Sequence, residues 1–315
     1  MTQFKPLPRL HVNLLGTGKR RVPPQDATSS AASEPAGTDG SFALTLAKGL
    51  AVLRAFRAGE TYLSNRDLAE RTGFSKPTVS RLARTLLELG YLRHSPTLGR
   101  YALGTAVLTL AYPMLAGLGI RHIARPFMHE LANDVAGQVS MGMRDRHTMV
   151  FVESARSRAH RLTLPEIGAT LSILASSMGR AYLAALAPDD RDTLLEELRA
   201  ADPDGFARYA GAVEEAVETF AARGFACSFG DVRREMYACA APLRVRVDGE
   251  LVILNCGVPA AGMSREAFVE TVGPKLVAMT HAIDAAAGAG LGPDHAVQPP
   301  AGAVRRATPA PAHPS

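Results

Sequence analysis

The chain has 315 residues, 47% of them apolar, and carries 35 Lys and Arg against 30 Asp and Glu, a formal net charge of +5. That composition excludes a wholly disordered chain and suffices for about two ordinary domains. So small a basic excess carries information only if it is concentrated on one face, so its distribution matters more than its size.

Residues 1–41 show no sustained periodicity and end in PPQDATSSAASEPAGTDG, which has too little apolar surface to offset the entropy of ordering. They predict a disordered tail whose basic residues would add nonspecific affinity for polyanions, and 287–315 repeats the composition. The GTGKR run at 16–20 lacks both the GxxxxGK[ST] spacing and a preceding strand, so it defines no phosphate loop.

From 42 to 118 the signal is helical. Leu46, Leu50, Leu53 and Phe56 recur every three or four residues and predict a first helix closed by Gly59. A second, Ser64 to Arg71, opens on Ser64 as N-cap with Asp67 supporting its first turn, and Gly73 permits the sharp turn that follows. The third runs from about Ser75 to Leu89. At about 100° per residue, Val79, Leu82, Ala83, Leu86 and Leu89 share one face, and Pro77, Ser80, Arg81, Arg84 and Glu88 the other. Pro77 falls in the first turn, where the backbone N–H has no partner inside the helix, so it marks a helix start. Tyr91–Arg93 and Arg100–Leu103 then read as two short strands around a Ser-Pro-Thr-Leu-Gly turn.

Helix, glycine turn, helix and hairpin is the layout of a winged helix-turn-helix, whose second helix enters the major groove by its N-terminal residues. Residues 64–104 hold seven Lys and Arg against three acids, a net +4 and most of the chain's excess, as a phosphate-binding surface requires. Candidate DNA-contacting residues are Ser64, Arg66, Ser75, Lys76, Thr78, Ser80, Arg81 and Arg84, with Arg93 and Arg100 on the wing.

Thr105–Gly119 is a nearly uncharged apolar helix that needs either core burial or a dimer seam, with Pro113 predicting a kink. Beyond 120, helices and strands mix: a helix to Gly137, then QVSMGMR and HTMVFVESA around an Asp145-Arg146 turn, and HRLTL as a third strand. ASSMGRAYLAAL begins a helix after two serines, and 189–200, 206–223 and 264–285 are helical. GFACSF, MYACAAPLRVRV and ELVILNCGVP read as strands, the last two joined by Asp248-Gly249. The class is α+β, with a mostly antiparallel sheet flanked by helices.

Enzyme signals are missing: His122, His129, His147, His160 and His281 show no HExxH or HxH spacing, and no GxSxG elbow occurs. Cys227, Cys239 and Cys256 are odd in number and without CxxC spacing, which argues for buried thiols over a disulfide framework or a zinc site. No catalytic residue, metal ligand or cofactor is expected. No apolar run reaches the roughly 18 residues that span a bilayer, and no cleavage site follows the N-terminus, so a cytoplasmic location is expected.

LSNRDLAERTGFSKPTVSRLARTLLELGYLRHSPTLGRYALG, residues 63–104, resembles the winged helix-turn-helix of the IclR family of bacterial transcriptional regulators. Its hallmarks are the TG-[FL]-x-[KR]-x-TV-x-RL core and the LGY…GRY-x-LG wing. GFACSF…EMYACAAPLRVRVDGELVILNCGVP resembles that family's effector domain more loosely, and the likeness spans about 42–285. The resemblance implies a DNA-binding domain at 42–104, a linker or dimerisation helix at 105–119 and a GAF-like α/β effector domain at 120–286. It further implies regulation, more often repression, by a small carboxylic or aromatic acid. The partners implied are inverted-repeat operator DNA and a second copy, as a homodimer or dimer of dimers. The implied effector contacts are Ser177, Met178, Ser228 or Asp231, Ala238 and Asn255, with Gly257 nearby.

The residues agree at one point: Ser176 and Ser177 stand at a helix start, which favours an anion, or they merely cap the helix. Gly179 would let a ligand or backbone approach closely. Asn255, an amide in an apolar strand, should have a partner. The charged segment SFGDVRREM is either an exposed loop or brings one arginine to an acidic effector. A DNA binder of architectural type, with no effector, is the alternative function.

Overall fold

The computed structural model describes residues 42–158 and 166–290. Both expected tails, apart from 287–290, and the expected HRLTL strand lie outside the described residues.

Three helices open the fold: α1 (Leu44–Arg54), α2 (Asn65–Thr72) and α3 (Lys76–Glu88), followed by the hairpin β1 (Leu92–Ser95) and β2 (Arg100–Leu103). Their starts are chemical. Ser64 accepts the Asp67 amide while Asp67 accepts the Ser64 amide, a capping box that fills two orphan donors of α2. Gly73 closes α2 at φ 70, which only glycine adopts without strain, and Ser75 caps α3 with Lys76 and Pro77 as its first residues. Val52, Leu63, Leu68, Val79, Leu82, Ala83, Leu86 and Leu92 form the small core, and Leu63 adds a bridge to Tyr101 beside the wing.

The expected apolar face of α1 is rotated. Val52 is buried, but Leu46 and Leu50 are 64% and 46% exposed, and Leu89 on α3 is 60% exposed. Periodicity finds an apolar stripe without saying what covers it.

Helix α4 (Ala106–Gly117) has no buried residue: Leu108, Leu110, Tyr112 and Met114 are all exposed, so of the two expected roles no core burial is found among the described residues. The helix continues through Pro113; the change of direction, 86°, falls at the break before α5 (Ile120–Asp134). No single described helix is long and apolar enough to cross a membrane.

The second region is one six-stranded sheet. Its strands are β3 (Gln138–Asp145), β4 (Thr148–Arg156), β5 (Thr170–Ser172), β6 (Ala226–Phe229), β7 (Met236–Val247) and β8 (Glu250–Pro259), in the order β5-β4-β3-β8-β7-β6. Every neighbouring pair is antiparallel. The Asp248-Gly249 turn is the expected one, with positive φ at both residues, whereas the first hairpin turns at Arg146-His147, one residue beyond the expected Asp145-Arg146, because Asp145 still pairs with Thr148. The three-residue edge strand β5 carried no readable alternation.

Strand alternation gives the sheet two packed faces. One buries Val139, Cys239, Val252, Leu254, Cys256 and Val258 against α5 and α9 (Arg265–Gly290). The other packs Met149, Phe151, Leu251 and Ile253 against α6 (Ser177–Ala185), α7 (Pro188–Ala201) and α8 (Pro203–Arg223). Helix α9 runs four residues past the expected boundary at 286, with Ala287 still buried. The three cysteines are free and buried, and stand in one lateral row, Cys227 beside Cys239 beside Cys256.

Candidate functional site

Two surfaces carry chemistry. The first is the outer face of α3 with the wing. Ser75, Lys76, Ser80, Arg81, Arg84, Arg93 and Arg100 are exposed there, Thr78 is half-buried, and Arg66 is exposed on α2. Lys76, Arg81, Arg93 and Arg100 form no ion pair with any described residue, so their charge is available to phosphates. Arg66 and Arg84 pair one turn along with Glu70 and Glu88, contacts so exposed that each is worth little. Ser64 and Ser75 spend their hydroxyls on helix caps: Ser75 Oγ takes the Thr78 amide at 3.4 Å and meets Thr78 Oγ1 at 2.9 Å.

Asn65 was missed from sequence. Its Nδ2 donates to Ser80 Oγ at 3.1 Å and to the Lys76 carbonyl at 3.3 Å, tying the start of α2 to the exposed start of α3. A polar residue one step past an N-cap gives no sign of a partner fifteen positions away.

The second surface is a cavity between the sheet and α6. Two lateral rows of the sheet make its floor. Ser228, Ala238, Gly257 and Gln138 are successive partners across β6, β7, β8 and β3, and Asn255 and Ser140 sit side by side in the next row. Where the same face elsewhere carries Phe, Ile, Leu and Met, these positions are small or polar, so α6 cannot close down on them. The resulting space is about 80 Å³, several times the roughly 10–15 Å³ that one water occupies. Ser176 and Ser177 flank it from the start of α6, Phe151 and Leu171 from the side, Val232 and Arg233 from the segment between β6 and β7, and Met236 from the first position of β7.

Its polar groups are conspicuous by their burial. Ser176 caps α6, its hydroxyl accepting the Gly179 amide at 3.1 Å and donating to the Ser172 carbonyl at 2.7 Å. Ser177 Oγ and Asn255 Oδ1 are buried and accept or donate no hydrogen bond among the described residues. An orphaned buried polar atom costs free energy unless something else satisfies it. Arg233 lines the cavity while pairing with Glu235 at 2.9 Å.

Of the expected effector contacts, Ser177, Ser228, Ala238 and Asn255 come together here with Gly257, whereas Met178, Gly179 and Asp231, the alternative to Ser228, do not. Met178 is fully buried in the α6 core, under Gly142. Gly179 meets backbone, since a Cβ there would collide with Ile173. Asp231 turns away to Arg180, whose buried guanidinium binds its carboxylate at 2.8 Å and the Leu174 and Cys227 carbonyls at 2.9 and 3.1 Å. That clamp fixes α6 to β6 and to the segment over the cavity. Arg233, one of the two arginines of the SFGDVRREM segment, lines the cavity, whereas Gln138, Ser140, Phe151, Leu171, Val232 and Met236 were missed; polar Gln138 and Ser140 at alternate positions of an apolar strand were the readable signal.

The thiols take no part. Burial pushes Cys227 and Cys256 up to about 12 and Cys239 well above its usual range, so all three stay protonated in the folded protein.

A basic winged helix-turn-helix joined to an α/β domain with a polar-floored cavity defines a DNA-binding transcriptional regulator with a separate sensory domain. The IclR helix-turn-helix domain matches residues 45–96, and the bacterial transcriptional regulator IclR C-terminal domain matches 113–285. The HTH-type transcriptional regulator TsaQ1/TsaQ2 of Comamonas testosteroni is 31% identical over 76% of this chain and 87% of its own length. The crystal structure of an IclR family transcriptional regulator from Brucella abortus covers 82% of this chain and 97% of its own, with 36% identity and a TM-score of 0.72. An IclR homologue from Microbacterium hydrocarbonoxydans, complexed with 4-hydroxybenzoate, shares the fold at 20% identity and a TM-score of 0.61, covering 78% of this chain and 99% of its own. The chain belongs to the IclR family, whose members regulate transcription rather than catalyse reactions.

Proposed function

We propose that this regulator, acting in the cytoplasm as a homodimer or a pair of dimers, represses transcription at inverted-repeat operators and loses operator affinity when a small organic acid fills the α6 cavity. Residues 42–104 would read DNA, 105–119 would link and dimerise, and 120–286 would sense. The observation that carries the reading is the pair of orphaned buried atoms, Ser177 Oγ and Asn255 Oδ1, in one cavity at the start of α6. A carboxylate suits Ser177 and the adjoining helix N-terminus, and a hydroxyl donor suits Asn255. Phe151, Leu171 and Val232 offer an apolar flank for the body between them.

The DNA contacts follow from α3. Ser75 at its N-cap and Lys76, Thr78, Ser80 and Arg81 in its first two turns would meet base edges, while Arg66, Arg84, Arg93 and Arg100 would hold phosphates. Self-association is supported by the apolar side chains of α1 and α4 that are exposed among the described residues, Leu46, Leu50, Leu108, Leu110, Tyr112 and Met114.

The test is selection of duplexes from a random pool, followed by titration of organic acids. 4-Hydroxybenzoate, the ligand of the Microbacterium homologue, is a suitable first probe because it pairs a carboxylate with a hydroxyl across a ring. Enrichment of a palindrome and its release by an acid support the reading. Binding with no sequence preference and no acid response would make the protein an architectural DNA binder.

A further inference from the structure

A chain of hydrogen bonds, carried covalently through Ser154, leads from the cavity floor, through the sheet, to the last turn of α4. Gln138 Nε2 donates to Ser140 Oγ at 3.0 Å and to Ser154 Oγ at 2.7 Å. Gln138 and Ser140 are cavity residues. The Ser154 amide donates to Glu153 Oε1 at 3.0 Å, and Glu153 Oε2 accepts Arg121 Nη2 at 3.0 Å. Arg121 Nη1 in turn donates to the Leu115 carbonyl at 2.8 Å.

The crossing from one sheet face to the other depends on a bulge. Met141 pairs with Glu153 but Gly142 pairs with Phe151, so Val152 is an extra residue on β4. Bulges re-aim side chains beside functional sites. Ser154 thereby stays over the cavity floor next to Ser140, while Glu153 reaches Arg121 on α5. At the far end, the Leu115 carbonyl is one of the last acceptors of α4 and also takes the Leu118 amide at 3.3 Å. Arg121 therefore grips α4 directly at the 86° break.

Stability does not account for the ion pair. The Arg121 and Glu153 side chains are only 15% and 6% exposed, and a pair so desolvated is commonly replaceable by apolar residues at no loss. We propose that Gln138, Ser154, Glu153 and Arg121 form the coupling element that reports cavity occupancy to the linker helix, with Glu153 and Arg121 as positioning residues. A ligand that takes the Gln138 amide withdraws the donor from Ser154. The Ser154–Glu153 backbone is then free to move, Arg121 changes its grip on Leu115, and the α4–α5 bend alters. Helix α4 follows directly on the wing strand β2, so that bend sets where the wing lies. The inference rests on the cavity being the effector site.

Amide hydrogen exchange over residues 114–121 of the full chain reads the bend without any ligand. Gln138→Leu should change exchange there at least about fivefold, the lower end of typical coupling between sites, and change affinity for a selected duplex by a similar factor. In an Arg121→Met background Gln138→Leu should add nothing further. Unchanged exchange in Gln138→Leu, or effects of the two substitutions that simply multiply, would overturn the proposal. Should Arg121→Met unfold by leaving Glu153 unpaired, Arg121→Met with Glu153→Leu serves as the background, because it removes both charges. If no duplex is enriched, the regulatory reading fails on its own, and the exchange arm still decides the coupling.

Discussion

Ser64 and Asp67 hold each other at the start of α2: the Asp67 amide reaches Ser64 Oγ at 3.1 Å, and the Ser64 amide reaches Asp67 Oδ2 at 2.8 Å. The Ser64 amide holds the Asp67 carboxyl below the usual carboxylate range, with the Ser64 hydroxyl assisting. A depressed folded pKa means stability that is present above the unfolded value and lost as pH falls through the folded one. The thermal midpoint of residues 42–104 within the full chain should therefore decline at acid pH below about 4. Asp67→Asn should flatten that part of the profile; an unchanged slope would remove the carboxylate from the account.

Arg81 stands exposed in the second turn of α3, with no described ion-pair partner. Arg81→Ala should weaken binding to a selected duplex by about 1–3 kcal/mol and relax preference at one base position. Equal loss on random DNA would assign Arg81 to phosphate, and no loss on either would displace α3 as the reading helix.

Asn255→Ala removes the amide from the cavity floor without disturbing the Cys256 face of the strand. Acid-induced release from DNA should weaken at least about tenfold in acid concentration, the equivalent of one lost charged or buried hydrogen bond. Affinity for DNA without acid should be unchanged in the same fluorescence-anisotropy titration.

Leu110 is 61% exposed on a helix with no buried residue. Leu110→Glu should lower the mass measured by light scattering toward that of a single chain, with the circular dichroism spectrum retained. A mass that does not move would place self-association elsewhere.

The buried thiols give a direct check on the sheet. Cys227, Cys239 and Cys256 should resist a thiol-exchange reagent in native buffer and all react in denaturant, since reaction requires the thiolate. Fast labelling of the native protein would contradict their place between the sheet and α9.

Much of this was legible because it is local. Ser64, Ser75, Pro77, Gly73 and Asp248-Gly249 announce caps and turns through their own chemistry, and the α3 faces follow from a single angle. The failures share a cause: they need knowledge of what lies opposite. Leu46 and Leu50 read as core but face outward, and Leu89 does likewise. Asp231 read as an effector contact by its place in the family resemblance, which says nothing of its partner Arg180, 51 residues away. The cavity floor collects Ser228, Ala238, Gly257 and Gln138 from four strands, and only lateral pairing places them side by side.

That floor divides labour within single strands. Ala238 and Gly257 face the cavity, whereas their neighbours Cys239 and Cys256 are locked in the opposite core. A methyl at Gly257 would find its nearest atom, Met236 Cε, at 3.5 Å, an ordinary contact. Selection can thus reshape what the cavity accepts one side chain at a time without touching the packing that keeps the domain folded. A scaffold of this kind is able to track a changing menu of metabolites at little structural risk.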